Sequence, residues 1–171
     1  MTDLLPLALE RLRRSAAAIE ALVAGLPLEA ARWKPAPDKW SALEVVCHLA
    51  DEEVEDFRTR VRLTLQDPAA PWPEIHPSAW VVERRYLAMP LGPSLSRYLN
   101  ERAVSLQWLA AQREAKWDNV HQHPTAGPLT ARLMLANWMA HDLLHLRQLA
   151  RLQYEALSAH GEKLDYAGPW T

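Results

Sequence analysis

Apolar positions along the chain recur at helical spacing in four long stretches. In residues 3–24, Ala8, Leu12, Ile19 and Val23 fall on one stripe, and Gly25 is a natural stop. A second stretch opens at Ser41, with Glu44 three residues later. That pair is a capping-box signature, in which each side chain satisfies an orphan amide at the helix start. Leu43, Cys47, Ala50, Val54, Phe57 and Val61 then follow at alternating four- and three-residue steps, the pattern of a bundle seam, as far as Asp67-Pro68. A third helix is expected over 94–116 and a fourth over 129–157. On the fourth, Met134, Trp138, His141, His145, Gln148 and Leu152 repeat the same steps. No period-two alternation and no internal repeat stand out, so no strand is expected.

The connections are rich in proline, which punctuates the helical patterns rather than interrupting them. Residues 27–39 form the first. Residues 68–93 form a long second one, with a short helix expected over 78–87. A loop of that length in a compact domain is often functional. The third, 117–128, carries His121, His123 and Gly127. A tail over 164–170 is too short and broken for a helix, and its aromatics are expected to pack back onto the body. The pattern predicts one all-α domain over 1–171, a four-helix bundle with long connections. Metal and ligand sites in such bundles are built from inward side chains on facing helices.

Composition narrows the function classes. With 171 residues, 49% of them hydrophobic and 23% charged, the chain is globular and long enough to bury a core without staples. A net charge of −2 leaves no broad basic footprint for nucleic acid. The single cysteine, Cys47, excludes an intramolecular disulfide. Asp3, Glu10 and the following arginines break up any signal-peptide core, and no stretch reaches the roughly 18 apolar residues of a membrane span. A soluble, cytoplasmic protein is expected.

The candidate chemistry lies on the fourth helix. His141 and His145 are four residues apart, so both imidazoles lie on one helical face, and both occupy seam positions. Two such rings can grip one divalent ion if a third ligand comes from elsewhere. His48, at the edge of the second helix's stripe, is the best candidate for it. Neutral imidazole suits Zn²⁺, Ni²⁺, Fe²⁺ and Cu²⁺, and three protein ligands with open positions is the catalytic pattern. A histidine pair at this spacing also arises by chance, and spacing alone does not set His48 opposite the pair.

At these residues the chain resembles a known family. Lys39-Trp40-Ser41 followed by residues 44–51, Glu-Val-Val-Cys-His-Leu-Ala-Asp, is similar to the opening motif of DinB-like proteins, which include the YfiT-type metal-dependent hydrolases. His123-Pro124, Gly127 and Leu129-Thr130 resemble that family's turn into its last helix, and residues 141–149 resemble its closing motif. The resemblance implies an up-down-down-up four-helix bundle, often a homodimer. It also implies a divalent metal, often nickel or zinc, on His48, His141 and His145. Some relatives use a low-molecular-weight thiol as co-substrate in transfer or isomerisation.

Other residues have a sharper and a blander reading. Glu52 is a candidate general base, or a solvated carboxylate among Asp51, Glu53, Glu55 and Asp56. Asp142 points about 100° away from His141 and is expected at the surface. His121 and His123 form a rival ligand pair, with a structural role favoured. His76 could approach the site mouth, and His160 lies near the tail. Cys47 is expected as a buried, inert thiol. Among the tryptophans, Trp138 is the one expected in the pocket wall, the others being core or loop anchors. Arg147 could meet an acidic substrate, though a surface or helix-dipole role is the commoner one. Two functions follow: a metal-dependent enzyme acting on a small molecule, with water or a thiol as nucleophile, or a non-catalytic bundle that binds metal for stability, sensing or dimerisation.

Overall fold

The computed structural model describes residues 4–161, 163–168 and 170. Its elements are α1 (Leu4–Val23), α2 (Leu28–Arg32), α3 (Ala42–Glu52), α4 (Thr59–Gln66), α5 (Pro77–Glu83), α6 (Leu91–Ala110), the strands β1 (Val120–His123) and β2 (Gly127–Thr130), and α7 (Ala131–Ala159). A π-helical turn, Glu53–Arg58, joins α3 to α4 without a break, so the two form one rod. Four rods therefore build the bundle: α1, α3–α4, α6 and α7.

Their directions follow from which residues meet. Asp51 pairs with Arg97, Glu53 with Arg102, and Arg58 bonds Ser105, so the α3–α4 rod and α6 run parallel. Phe57 stacks on Trp138 while His48 meets His141, so α7 runs antiparallel to that rod. Leu5 and Ala8 pack with Met134 and Leu135, and Gln153 reaches the Leu22 carbonyl, so α1 and α7 are parallel. The order is up-down-down-up. Two consecutive rods in one direction require a returning connection, and that is the role of the long proline-rich segment after α4. This segment crosses α3, where Trp80, Val81 and Tyr86 pack on Leu43 and Cys47. Arg84, Arg97 and the Tyr86 hydroxyl all bind the buried Asp51 carboxylate and fasten it there.

The expected capping box is present. The Glu44 amide donates to Ser41 Oγ at 3.3 Å, and the Ser41 amide donates to Glu44 Oε2 at 2.7 Å. Gly25 takes a φ of +76°, the left-handed conformation that ends a helix at little cost. Elsewhere the expected elements shift. The third helix begins earlier, at Leu91, because Pro93 in the first turn lacks only an amide that would have had no helical partner. It ends at Ala110 rather than at 116.

The expectation of no strands is corrected. Val120–His123 pairs antiparallel with Gly127–Thr130 in a short hairpin, with Gly127 at φ +76°. Strands of four residues are too short to show alternation. In the tail, Trp170 stacks on Tyr154 at 5.0 Å, as expected of a packed-back aromatic, but Tyr166 is fully exposed. Among the described residues, no helix is long and apolar enough to cross a membrane.

Candidate metal centre

α3 and α7 cross with their seams facing, and the three histidines meet between them. His48 Nε2 lies 3.2 Å from His141 Nε2, and His145 Nε2 lies 3.1 Å from the same atom. The three nitrogens all fall within 4.8 Å of one another, the one such group of three potential ligands among the described residues. A tetrahedral or octahedral ion with Zn–N bonds of about 2.0–2.1 Å sets neighbouring ligand nitrogens roughly 2.9–3.4 Å apart. Two edges of the triangle already match.

The protonation states suit a cation. Burial pushes the His48 pKa down to about 3, helped by the neighbouring His145. Burial also takes His141 to about 2, with His145, His48 and Arg102 adding to the effect. His145 is lowered by burial too. All three are therefore neutral at pH 7 and carry a lone pair. Gln148 fixes the tautomer of His145. Its Oε1 lies 2.8 Å from Nδ1 and can only accept, so Nδ1 holds the proton and Nε2 turns a bare lone pair to the centre. Nδ1 of His48 is buried with no hydrogen-bond partner. Three converging lone pairs in a dry site are costly unless a cation takes them. The donor set fits a divalent ion.

Glu52 lies one turn beyond His48, with its Oε2 3.9 Å from His141 Nε2. Its carboxyl pKa is raised, first by burial and then by the Asp56 carboxylate on the next turn. Asp56 is itself raised by burial, against the pull of Arg60 at 3.0 Å. Neither carboxyl is the solvated helix residue that the acidic run suggested. Aromatic rings wall the centre: Phe57 lies 4.9 Å from the His141 ring, and Trp40 lies 4.8 Å from His48 and parallel to His145 at 6.4 Å.

A family model of the DinB superfamily matches residues 11–149, most of the chain. The chain belongs to the DinB superfamily. YfiT from Bacillus subtilis, described as a probable metal-dependent hydrolase with an unusual four-helix bundle topology, superposes with a TM-score of 0.81. The superposition covers 91% of this chain and 89% of that one, at 16% sequence identity, a likeness that establishes the shared fold. No curated protein matches in sequence.

Several residues of this DinB protein lie where the sequence did not set them. Asp142, expected at the surface, is fully buried. It takes Arg102 in a two-point ion pair, while Glu53 takes the same guanidinium from another side at 2.8 Å. The Leu12 carbonyl accepts a further bond, so all five guanidinium donors are used. The π-helical turn places Glu53 in this network, and helical spacing gave no sign of that turn. Trp138, expected in the pocket wall, is a core residue whose Nε1 donates to Glu53 Oε2 at 3.1 Å. Trp40 lines the site in its place.

His121 is buried, stacked 4.2 Å from Trp72, with Nδ1 bonded to the Pro68 carbonyl. His123 Nδ1 accepts from the Thr125 and Ala126 amides and shapes the hairpin turn. Neither joins the triad. His76 sits exposed beside Glu74, and His160 caps the end of α7. Cys47 is buried and its thiol pKa is raised by burial, which suits an inert thiol.

Proposed function

We propose that this protein is a metal-dependent enzyme acting on a small molecule, with one divalent ion, nickel or zinc, held by His48, His141 and His145. The observation that carries the proposal is the convergence of three neutral Nε2 atoms on one point, two of the edges at 3.1 and 3.2 Å. An ion there supplies Lewis acidity, making a water or a low-molecular-weight thiol a better nucleophile at neutral pH and polarising a carbonyl. Glu52 sits within reach of the same point and keeps or gives up a proton near neutral pH because its pKa is raised. That is the property a general base or acid needs. Trp40 and Phe57 keep bulk water off the rings, and Gln148 holds His145 in the ligating tautomer.

Catalysis is favoured over a purely structural ion by access. A cavity of about 620 Å³ opens directly on His145. A structural site would be closed by a fourth protein ligand.

The test begins with the full chain purified without a histidine tag. Metal content is measured for the native protein and for His48→Ala, His141→Ala and His145→Ala. Near-stoichiometric metal in the native protein and a marked loss in each variant are expected. Full occupancy in all three variants would remove the proposal. Incubating the loaded protein with ester, amide and electrophile panels, with and without thiols, then separates hydrolysis from thiol transfer.

A further inference from the structure

Two cavities meet at the proposed metal centre. The one of about 620 Å³ is lined by His145, Arg147, Arg151 and Trp170 among others. A second, of about 470 Å³, is lined by Lys39, Trp40, Leu152 and Glu155. Gln148 and Arg151 line both, so the two form one continuous mouth running from Trp40 to Trp170.

The charge of this mouth differs from that of the chain. The protein carries a net −2, yet three cations, Lys39, Arg147 and Arg151, gather here. Glu155 takes the Nε of Arg151 at 2.6 Å, and Asp38 takes Lys39 at 2.9 Å. Arg147 has no ion pair or hydrogen bond among the described residues. Gln148 adds a neutral donor. Its Oε1 is committed to His145, while its amide nitrogen has no protein partner among the described residues. Arg147 and Arg151 are four residues apart, so they stand on one face of α7, a turn beyond His145 and Gln148. The walls are indole rings, which favour a flat or apolar body.

We propose that this mouth is the substrate subsite and that it selects small organic anions. A carboxylate or phosphate head is held by Arg147 and Arg151 with the Gln148 amide, and the body of the molecule lies between Trp40 and Trp170, its far end towards the histidines. Guanidinium groups bind such heads through paired N–H donors. The proposal rests on the metal-centre reading for its chemistry, though the anion contacts themselves need no metal.

The test uses the full-length protein, metal-loaded and metal-free, with benzoate, phenyl phosphate and the neutral benzamide as probes. Binding is read by tryptophan fluorescence and calorimetry. Benzoate or phenyl phosphate binding about tenfold or more tightly than benzamide is expected, with the preference weakening as salt rises. Whichever of the two binds better identifies the head group. The double variant Arg147→Gln/Arg151→Gln should lose that preference while its metal content stays native. Glu155→Gln, which removes the competing carboxylate, should tighten anion binding about two- to threefold.

Equal affinity for benzoate and benzamide overturns the proposal, as does no anion binding at all. An anion preference that survives in the double variant also overturns it, because the anion then sits on the metal and not on the arginines. If the metal-centre proposal fails instead, the histidine variants keep their metal while the anion preference and its arginine dependence persist, so the two failures are told apart.

Discussion

Arg102 and Asp142 are joined inside the bundle by two bonds, Nη1 to Oδ2 at 2.6 Å and Nη2 to Oδ1 at 2.9 Å, with both side chains out of water. Asp142 directly follows His141, so this ion pair fixes the rotation of α7 at the point where the ligand face is presented. Glu53 closes on the same guanidinium from the α3–α4 rod. One arginine thus ties three rods together within a turn of the triad.

Removing one partner of this network is expected to be severe. Asp142→Ala leaves the guanidinium short of two bonds, and breaking a buried pair in this way costs about 3–5 kcal/mol. Chemical denaturation of the metal-free protein measures it. A loss below about 1 kcal/mol would show that water reaches Arg102 readily.

Gln148→Leu should weaken the metal site without unfolding the bundle. It removes the acceptor that sets the His145 tautomer, and losing such an outer partner costs roughly 10- to 100-fold in metal affinity. Competition with a chelator reads the change. Unchanged affinity would show that the ring is oriented by packing against Trp40 alone.

The metal-free protein should be most stable near pH 6 to 7. The three histidines have folded pKa values below the ordinary 6.5, so as pH falls below that value the unfolded chain takes up protons that the folded one refuses. Stability drops on the acid side by up to about 1.4 kcal/mol per pH unit for each histidine. Glu52 and Asp56 act in the opposite sense. Their raised pKa values mean that the folded state keeps protons that the unfolded chain has lost, so their contribution declines as pH rises through the folded values. Between 4.5 and 6.5 three histidines oppose two carboxyls, and above 6.5 only the carboxyls remain. A melting temperature that rises steadily from pH 6 to pH 9 would contradict this assignment.

Glu52→Gln should retain metal and lose turnover. The amide keeps the size and burial of the side chain but cannot accept the proton. Loss of about 100-fold or more in kcat with native metal content is expected of a general base. An unchanged rate would return Glu52 to a structural role.

Much of this was legible in the sequence because two seams with the same four-three spacing carry it. His141 and His145 interrupt one such seam, and a histidine between Trp138 and Leu152 has to face inward. Ser41 and Glu44 gave the start of α3 correctly. What spacing could not show was anything that depends on a third element. Asp142 looked like a surface residue because its partner, Arg102, is 40 residues away on another rod. The π-helical turn shifts the phase of everything after Glu52 by one residue, so Glu53 turned inward against its apparent place in an acidic run. Trp40 read as a loop anchor because only the packing of α3 on α7 brings it against two histidines. The mouth's cations come from both ends of the chain, and no local pattern joins Lys39 to Arg147.

The triad also bears on when this protein becomes itself. His48 and His141 are separated by 93 residues, and the last two ligands arrive with the final helix. A chain emerging from the ribosome has one imidazole in place for most of its synthesis and gains the other two only when α7 docks. Metal capture then marks completion: an ion is held by molecules whose last rod has closed on the first three, and partly made or truncated chains are passed over.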